Sequence, residues 1–350
     1  MRKKVSSRVR PRQVDVAQLA GVSPAVVSIV LSGRAEGSTR VGEEARKRVL
    51  AAVEALDYKP NLLARGLRIN RSGGVGVVVK ALHNSFNGRL LSGVEGVMGD
   101  ARMHLMVSSG RGQTDSERVA IEFLLERRCD ALIVSLSATP DASLVELSRA
   151  DRPIIVVGHR VPGLEPRCIT LDDVLGGSLA TRYLLEHGHR QLAHISGPLG
   201  HRAARDRLTG YRQSLSDAGQ SASGLIVEGD FSKQGGFAAV GTLLGRGFSR
   251  GGIFVANDRM AEGVLERLRS EGLRVPEDVS VIGYDDASNA PYLRPSLTTV
   301  YQPIREMGVA AAQLALKVLG MRSEEVNQYF EPQLVVRDSV TTAPRGVATR

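Results

Sequence analysis

The sequence predicts a small all-α helix-turn-helix unit followed by a larger α/β unit with doubly wound parallel sheets in two lobes. Two short helical stripes flank a glycine near the N-terminus, and short aliphatic runs alternate with helical segments from residue 75 onwards. The positive charge is confined to the first part of the chain. Residues 1–72 hold 15 Lys and Arg against 6 Asp and Glu, whereas residues 73–350 hold 31 of each. We therefore expect only the first unit to meet a polyanion.

The composition is typical of a soluble globular protein, with 42% hydrophobic and 24% charged residues among 350. No apolar run approaches the roughly 20 residues that a membrane-spanning helix needs. The basic N-terminus is not followed by the apolar core of a signal peptide, so we expect a cytoplasmic protein. Cys129 and Cys168 lack the spacing of a metal or redox motif, and we interpret both as structural thiols, with no metal or cofactor.

The first helical pair is predicted within residues 13–32, which read QVDVAQLAGVSPAVVSIVLS. Gly21 suits a turn with positive φ, Ser23 offers a hydroxyl N-cap, and Pro24 fits the first position of the second helix. The apolar stripes are Val16, Ala17 and Ala20, then Val22, Val27 and Val30. If the second stripe faces the core, the residues left to contact DNA are Pro24, Ala25, Ser28, Ile29 and Ser32. A two-helix corner of an ordinary globular protein is the alternative.

A third helix is predicted over residues 43–56, where an apolar stripe closes a three-helix core: Ala45, Val49, Val53 and Leu56. The next segment, YKPNLLARGLR, is led by a proline and is too short to be stable as an isolated helix. We expect it to become helical only against another surface.

These residues resemble the lactose-repressor/galactose-repressor family of bacterial transcriptional regulators. The matching stretches are DVAQLAGVSPAVVSIVLSG, RKRVLAAVEALDYKPN and PNLLARGLR, in the family's order. The resemblance implies a hinge helix that forms on DNA and contacts it through Asn61, Ala64 and Leu67, with Leu67 as a wedge in the minor groove. Ordinary linker packing is the alternative for Leu67. Val26 and Ile29 stand where the family commonly has threonine and arginine, which favours contacts to thymine methyl groups.

Seven aliphatic runs predict the strands of the larger unit: VGVVV, HLMVSS, ALIVSL, PIIVVG, LAHISG, GIFVAN and VSVIGY. In parallel α/β sheets, ligands bind beyond the carboxyl ends of the strands, where this chain places polar residues such as Asn257 and Asp285. With Arg207 they offer the donors and acceptors that a polyol needs, and Phe231 offers an apolar face for a sugar ring. The structural alternatives are a helix cap for Asn257, a turn for Asp285 and a surface ion pair for Arg207.

The family resemblance extends to about Val336 and implies the two-lobed fold of periplasmic sugar-binding proteins. The residues that it places at effector-contacting positions are Arg207, Phe231, Asn257, Asp285 and Gln302. Phe86 and His159 follow predicted strands and complete the candidate site. His159 stands where the family usually has an aspartate, so no particular sugar is assigned.

The predicted organisation has five parts: a basic arm (1–12), a headpiece (13–59), a hinge (60–73), a unit for effector binding and dimerisation (74–338) and a disordered tail (339–350). Within the larger unit, lobe 1 is predicted to hold residues 74–171 and 303–326, and lobe 2 residues 172–302 and 327–338. A homodimer is expected because two-fold proteins read pseudo-palindromic DNA. Tetramers of the family use an added C-terminal leucine heptad, which the tail lacks, so a dimer is preferred to a tetramer.

The predicted function is sequence-specific regulation of transcription, with repression as the family default and a small effector, such as a sugar, bound between the lobes. An activator, a periplasmic-type sugar-binding protein and a non-specific nucleoid protein are the alternatives. The sequence contains no phosphate loop, nucleophile elbow or His/Cys cluster at metal spacing, so it predicts no catalytic activity. The adjacent pair Asp172 and Asp173 does not change this, because neighbouring side chains in a strand or helix point apart.

Overall fold

The computed structural model describes residues 11–32, 41–59, 71–82, 85–136, 140–149, 152–221 and 225–343. The chain divides into two compact units, Met1–Ser72 and Gly73–Arg350. Among the described residues, no single helix is long and apolar enough to cross a membrane; the bent pair at Gln13–Ala20 and Pro24–Leu31 passes that test on length and composition alone.

The headpiece has three helices, α1 (Gln13–Ala20), α2 (Pro24–Ser32) and α3 (Glu43–Ala55). The chain bends by 103° between α1 and α2, and Gly21 has the predicted positive φ of 62°. The Ser23 hydroxyl accepts a hydrogen bond from the Val26 amide at 3.4 Å, as expected of an N-cap. The buried core consists of Val16, Ala17, Ala20, Val27, Val49 and Ala52. The predicted helix-turn-helix is therefore confirmed.

The larger unit alternates strands and helices. Its strands are β1 (Gly74–Val79), β2 (His104–Ser109), β3 (Ala131–Ser135), β4 (Ile154–Gly158), β5 (Cys168–Leu171), β6 (Leu192–Ser196), β7 (Ile226–Glu228), β8 (Gly251–Val255), β9 (Val279–Ile282), β10 (Thr299–Tyr301), β11 (Tyr329–Phe330) and β12 (Gln333–Val335). Its helices are α4 (Ser85–Asp100), α5 (Thr114–Glu126), α6 (Asp141–Ser148), α7 (Asp173–Glu186), α8 (Arg202–Asp217), α9 (Lys233–Gly245), α10 (Asp258–Ser270) and α11 (Ile304–Val318).

Two parallel sheets form the two lobes. Lobe 1 has the strand order β11-β5-β4-β3-β1-β2, and lobe 2 has the order β7-β6-β8-β9, with β10 and β12 as a small antiparallel pair. Helices α4 and α11 cover one face of the first sheet, and α5 and α6 cover the other. The second sheet lies between α9 with α10 and α7 with α8. All residues of β1 are buried, which explains its continuous apolar run.

The chain crosses between the lobes three times: between β5 and α7, between β10 and α11, and between β11 and β12. The predicted boundaries need two corrections. Lobe 1 does not end at residue 326, because Tyr329 and Phe330 pair with β5. The tail does not become disordered at residue 339: Ser339 is buried and accepts a hydrogen bond from the Val281 amide at 2.8 Å, and the Ala343 amide donates to His187.

Three pairs of helices cross on reciprocal glycines. A methyl group on any of these glycines would overlap backbone atoms of the partner helix: Gly93 and Gly308 between α4 and α11, Gly177 and Gly210 between α7 and α8, and Gly236 and Gly263 between α9 and α10. The missing side chains let the helix backbones touch. The contact between α7 and α8 is made at the carbonyl of Arg207, which fixes the backbone of that residue.

Candidate functional site

A cavity of about 740 Å³ lies between the two lobes, at the carboxyl ends of the strands. Ala81, Gly112 and Leu136 of its wall come from lobe 1, and Ala203 and Arg259 come from lobe 2. The structure brings all seven residues of the predicted effector site to this wall: Phe86, His159, Arg207, Phe231, Asn257, Asp285 and Gln302. These residues are far apart in the sequence and come together only in the folded chain.

Arg207 is 5% exposed and is held by a buried ion pair. Its Nε lies 2.8 Å from Oδ1 of Asp173, one of its terminal nitrogens donates to the Ala256 carbonyl at 2.6 Å, and its guanidinium stacks 3.7 Å from the Tyr284 ring centroid. Burial disfavours its charge, but the attraction of Asp173 is among the interactions that nevertheless raise the pKa of Arg207. The surface ion pair considered from sequence is therefore wrong.

Asn257 combines a structural role with a position on the cavity wall. Its Oδ1 accepts the Met260 amide at 2.9 Å as the N-cap of α10, which confirms the helix-cap interpretation. Its Nδ2 donates to the Phe231 carbonyl at 3.2 Å. The Phe231 ring packs against Gly197, where a methyl group would overlap it, and stacks on the His201 ring with centroids 5.6 Å apart. The Asn257 side chain therefore caps α10 and also holds the backbone of Phe231, whose ring lies on the cavity wall.

Asp285 does not lie in the turn that the structural interpretation predicted: it forms an isolated parallel β-bridge with Tyr301, and its φ is 117°, followed by 47° at Asp286. Such backbone conformations are unusual for residues other than glycine and are concentrated at functional sites. The Asp285 carboxyl accepts a hydrogen bond from Gln302, and its carbonyl accepts one from Arg89 at 2.6 Å. Burial raises the pKa of Asp285 to about 6, against the opposing effect of Arg207.

His159 belongs to a polar bridge between the lobes. Its Nε2 lies 3.0 Å from Oδ1 of Asp141, which begins α6 in lobe 1. The other oxygen of Asp141 accepts a hydrogen bond from Arg202, at the start of α8 in lobe 2, at 2.9 Å. His159 stands where the family usually has an aspartate, and Asp141 brings a carboxylate to the same wall.

Sequence reasoning missed several charged residues of the cavity. Lys80 directly follows β1 and Arg111 follows β2 by two residues, so the rule of strand ends applies to both. Asp141, Asp173, His201 and Arg202 lie at helix N-termini or in the first turns of helices, and no local sequence signal distinguishes them from ordinary capping residues. These residues reach the cavity wall only because the fold places the two lobes on either side of the cavity.

The candidate DNA-reading surface lies on α2. Pro24 and Ala25 are exposed, and Ser28 and Ile29 are half-buried. The side chain of Ser32 lies outside the described residues, as do Asn61, Ala64 and Leu67 of the predicted hinge.

Comparison with known proteins agrees with both units. Residues 14–61 match the lacI family of bacterial regulatory proteins, and residues 181–340 match a periplasmic binding protein-like domain. The chain is 38% identical over 330 residues to the HTH-type transcriptional regulator GalR of Escherichia coli (strain K12), covering 94% of this chain and 95% of GalR. It is 36% identical over 307 residues to the ribose operon repressor of the same strain, covering 87% and 91%.

Solved structures show the same likeness. A lac repressor dimer bound to operator and the anti-inducer ONPF superposes with a TM-score of 0.85 at 28% identity, over 95% of this chain and 100% of that one. A CelR–cellobiose complex gives a TM-score of 0.69 at 32% identity, over 94% and 100%. The superposition and the two family matches confirm the predicted fold class, and the named relatives are regulators, which agrees with the predicted non-catalytic function. The chain belongs to the lacI family of bacterial regulatory proteins and is a DNA-binding transcriptional regulator.

Proposed function

We propose that this protein is a homodimeric repressor that reads a pseudo-palindromic operator with α2 and binds a small polyol effector between its lobes in the cytoplasm. The observation that carries the effector site is the interlobe cavity, where buried Arg207, Asn257 and Gln302 present hydrogen-bonding groups beside the Phe231 ring. Buried hydroxyl groups need such paired donors and acceptors. Support for the repressor comes from the ribose operon repressor, and support for the dimer from the lac repressor dimer on its operator.

The two lobes give the effector a way to act at a distance. An effector that contacts Phe86 in lobe 1 and Arg207 in lobe 2 binds best at one separation of the lobes. It therefore shifts the population toward that state by its difference in affinity between the two states. The bridge between Asp141 and Arg202 spans the same gap and is made or broken by the same movement.

The test of DNA reading uses the variant Ala25→Asp. Ala25 is exposed in the first turn of α2, where an aspartate favours the helix dipole, so the headpiece should fold normally. A negative charge next to the phosphates and the loss of a methyl contact should weaken operator binding by about tenfold or more. Footprinting of the purified protein on genomic DNA identifies the operator, and titration of that site measures the change.

The matched control is Ala51→Asp, which adds the same charge at an exposed position of α3. It should leave operator affinity within about twofold of the unchanged protein, because it lies outside the proposed reading surface. Equal losses in both variants would contradict reading by α2. Sedimentation of the protein with operator at micromolar concentration should give a dimer on each site, and a bound monomer would contradict the homodimer.

A further inference from the structure

Arg89 joins the two lobes beside the candidate effector site. It belongs to α4 of lobe 1, and its two terminal nitrogens donate to consecutive backbone carbonyls of lobe 2. The Asp285 carbonyl oxygen lies 2.6 Å from one of these nitrogens, and the Asp286 carbonyl oxygen lies 3.3 Å from the other. A guanidinium is a rigid fork of donors, so it can hold two carbonyls at once in a fixed orientation.

The position of Arg89 follows from the close crossing of α4 and α11. Arg89 lies four residues before Gly93, so the two residues share one face of α4. A methyl group on Gly93 would overlap the Arg305 carbonyl in the first turn of α11. Helix α11 begins at Ile304, directly after the chain passes from lobe 2 into lobe 1. The crossing therefore brings the guanidinium to the edge of lobe 2.

The backbone that Arg89 holds has an unfavourable conformation. Positive φ values are uncommon for aspartate, and here two follow each other, at Asp285 and Asp286. Such conformations persist only where the surroundings fix them. Lobe 2 supplies part of that support: the Asp285 amide donates to the Val300 carbonyl at 2.8 Å, and the Asp286 carboxylate lies 2.7 Å from a terminal nitrogen of Arg337. The side chain that holds the two carbonyls comes from lobe 1.

Arg89 itself does not line the cavity. Among the described residues of the wall, Asp285 and Gln302 are present and Arg89 is not. The Asp285 carboxyl accepts a hydrogen bond from Gln302, so a rotation of the Asp285 backbone would move this carboxyl away from its partner and within the cavity. Arg89 therefore reaches a ligand through the residue whose backbone it holds.

We propose that Arg89 is a positioning residue of the effector site: it fixes the backbone of Asp285 from the opposite lobe and so sets the direction of the carboxyl that a polyol hydroxyl meets. The inference rests on the proposed effector site. Because the hydrogen bonds of Arg89 cross from one lobe to the other, they are kept only at one separation of the lobes. A ligand that needs the Asp285 carboxyl in this position therefore favours that separation.

The test uses two variants of Arg89 and one control. Arg89→Met keeps the length of the side chain and removes its donors, whereas Arg89→Lys keeps the charge and loses the fork. The matched control is Arg118→Met, because Arg118 is an exposed arginine of α5 in the same lobe and its Nε lies 2.8 Å from Glu122. Hydrogen–deuterium exchange of the free protein follows the amides of residues 285–287. Calorimetry measures the binding of galactose, glucose, ribose and cellobiose to the full-length protein.

Arg89→Met should speed exchange at residues 285–287 by about tenfold or more, and it should weaken the binding of any sugar in the set that binds the unchanged protein by about tenfold. Arg89→Lys should recover part of both losses, and Arg118→Met should cause neither. Unchanged exchange in Arg89→Met overturns the inference, and so does faster exchange with unchanged affinity. Full recovery of affinity by Arg89→Lys without recovery of slow exchange would assign the effect to charge alone, which also overturns it.

The two measurements separate failure of this inference from failure of the proposed function. If no sugar in the set binds the unchanged protein, the polyol effector is contradicted, and the exchange measurement by itself supports or overturns the hold of Arg89 on Asp285. If a sugar binds but leaves operator occupancy unchanged, the regulatory role of the site is contradicted, and the variants of Arg89 still decide what positions Asp285. Each sugar is therefore added both to the free protein and to its complex with operator DNA.

Discussion

At the scale of single residues, two ion pairs with the same N–O distance differ in their exposure to solvent. Arg207 and Asp173 are 2.8 Å apart with side chains 6% and 8% exposed, and Lys233 and Glu266 are 2.8 Å apart with side chains 45% and 47% exposed. Asp173→Asn leaves the guanidinium buried without a counter-charge and should lower the free energy of unfolding by about 3 kcal/mol or more. Urea denaturation followed by circular dichroism measures this, since the chain contains no tryptophan.

Glu266→Gln is the matched control for that variant. It breaks an exposed pair at the same distance, and water replaces the lost charge, so its effect should stay below about 1 kcal/mol. Similar losses for both substitutions would show that burial does not decide the strength of the Arg207–Asp173 pair.

Asp285 gives the fold an unusual dependence on pH. Because burial holds its folded pKa at about 6, above the unfolded value, the folded state takes up this proton first as the pH falls. Ionised Asp285 should therefore destabilise the fold above about pH 6, and this destabilisation should be relieved progressively between about pH 6 and pH 4 as the carboxyl takes up its proton. The measurement is the pH profile of the unfolding free energy for the unchanged protein minus that for Asp285→Asn. A difference that falls toward acid pH would contradict it.

Strand ends made most of the site predictable from single residues. Residues placed after predicted strands, such as His159 and Asn257, do reach one cavity, because parallel strands deliver their carboxyl ends to the same edge. Asp173 could not be predicted, because its partner Arg207 is distant in the chain and the two meet only where α7 packs on α8. Buried partners of this kind leave no periodic signal.

At the scale of elements, the reciprocal glycines control how closely helices pack. Gly93 touches the backbone of α11, whereas Gly96 on the same helix has open space where its side chain would be. Gly93→Ala should cost about 1–3 kcal/mol of stability, because the helices must separate. Gly96→Ala should instead stabilise the fold by about 0.5–1 kcal/mol through helix propensity. Thermal unfolding of the two variants checks the opposite signs, and a shared sign would refute the crossing contact.

These crossings were outside the reach of sequence analysis. A glycine in a helical segment indicates only a weaker helix, and nothing local shows that Gly177 faces Gly210. The continuous apolar strands were predictable, because β1 is buried on both faces. The two-residue strand at Tyr329–Phe330 was missed, since it is too short to show alternation, and the predicted lobe boundary was misplaced for that reason.

At the scale of the whole molecule, the two units have cores of very different size. The described core of the headpiece contains six fully buried apolar side chains, whereas the larger unit has four clusters. A core that small is marginal by itself, so the headpiece should melt at a lower temperature than the larger unit. Val49→Ala should lower only the first calorimetric transition, by about 1–3 kcal/mol, and Val264→Ala only the second. A single transition moved by both variants would contradict this.

The fold class was predictable because its signals are large in scale. Charge confined to residues 1–72 and alternating strands and helices each extend over many residues, so no single misplaced boundary changes the outcome. The start of the predicted tail at residue 339 was misplaced, because residues 339–343 have no hydrophobic pattern of their own. They are held by hydrogen bonds to β9 and to the residue that follows α7.

The backbone passes between the two lobes three times, so a single cut in the chain does not separate the lobes. A protease that cuts between β5 and α7 leaves two other covalent links in place, at 301–304 and 330–333. The nicked halves of the cleft therefore stay together without relying on contacts across the cavity. If the two lobes were joined by a single linker, the same cut would let them dissociate, and the two walls of the ligand site would separate.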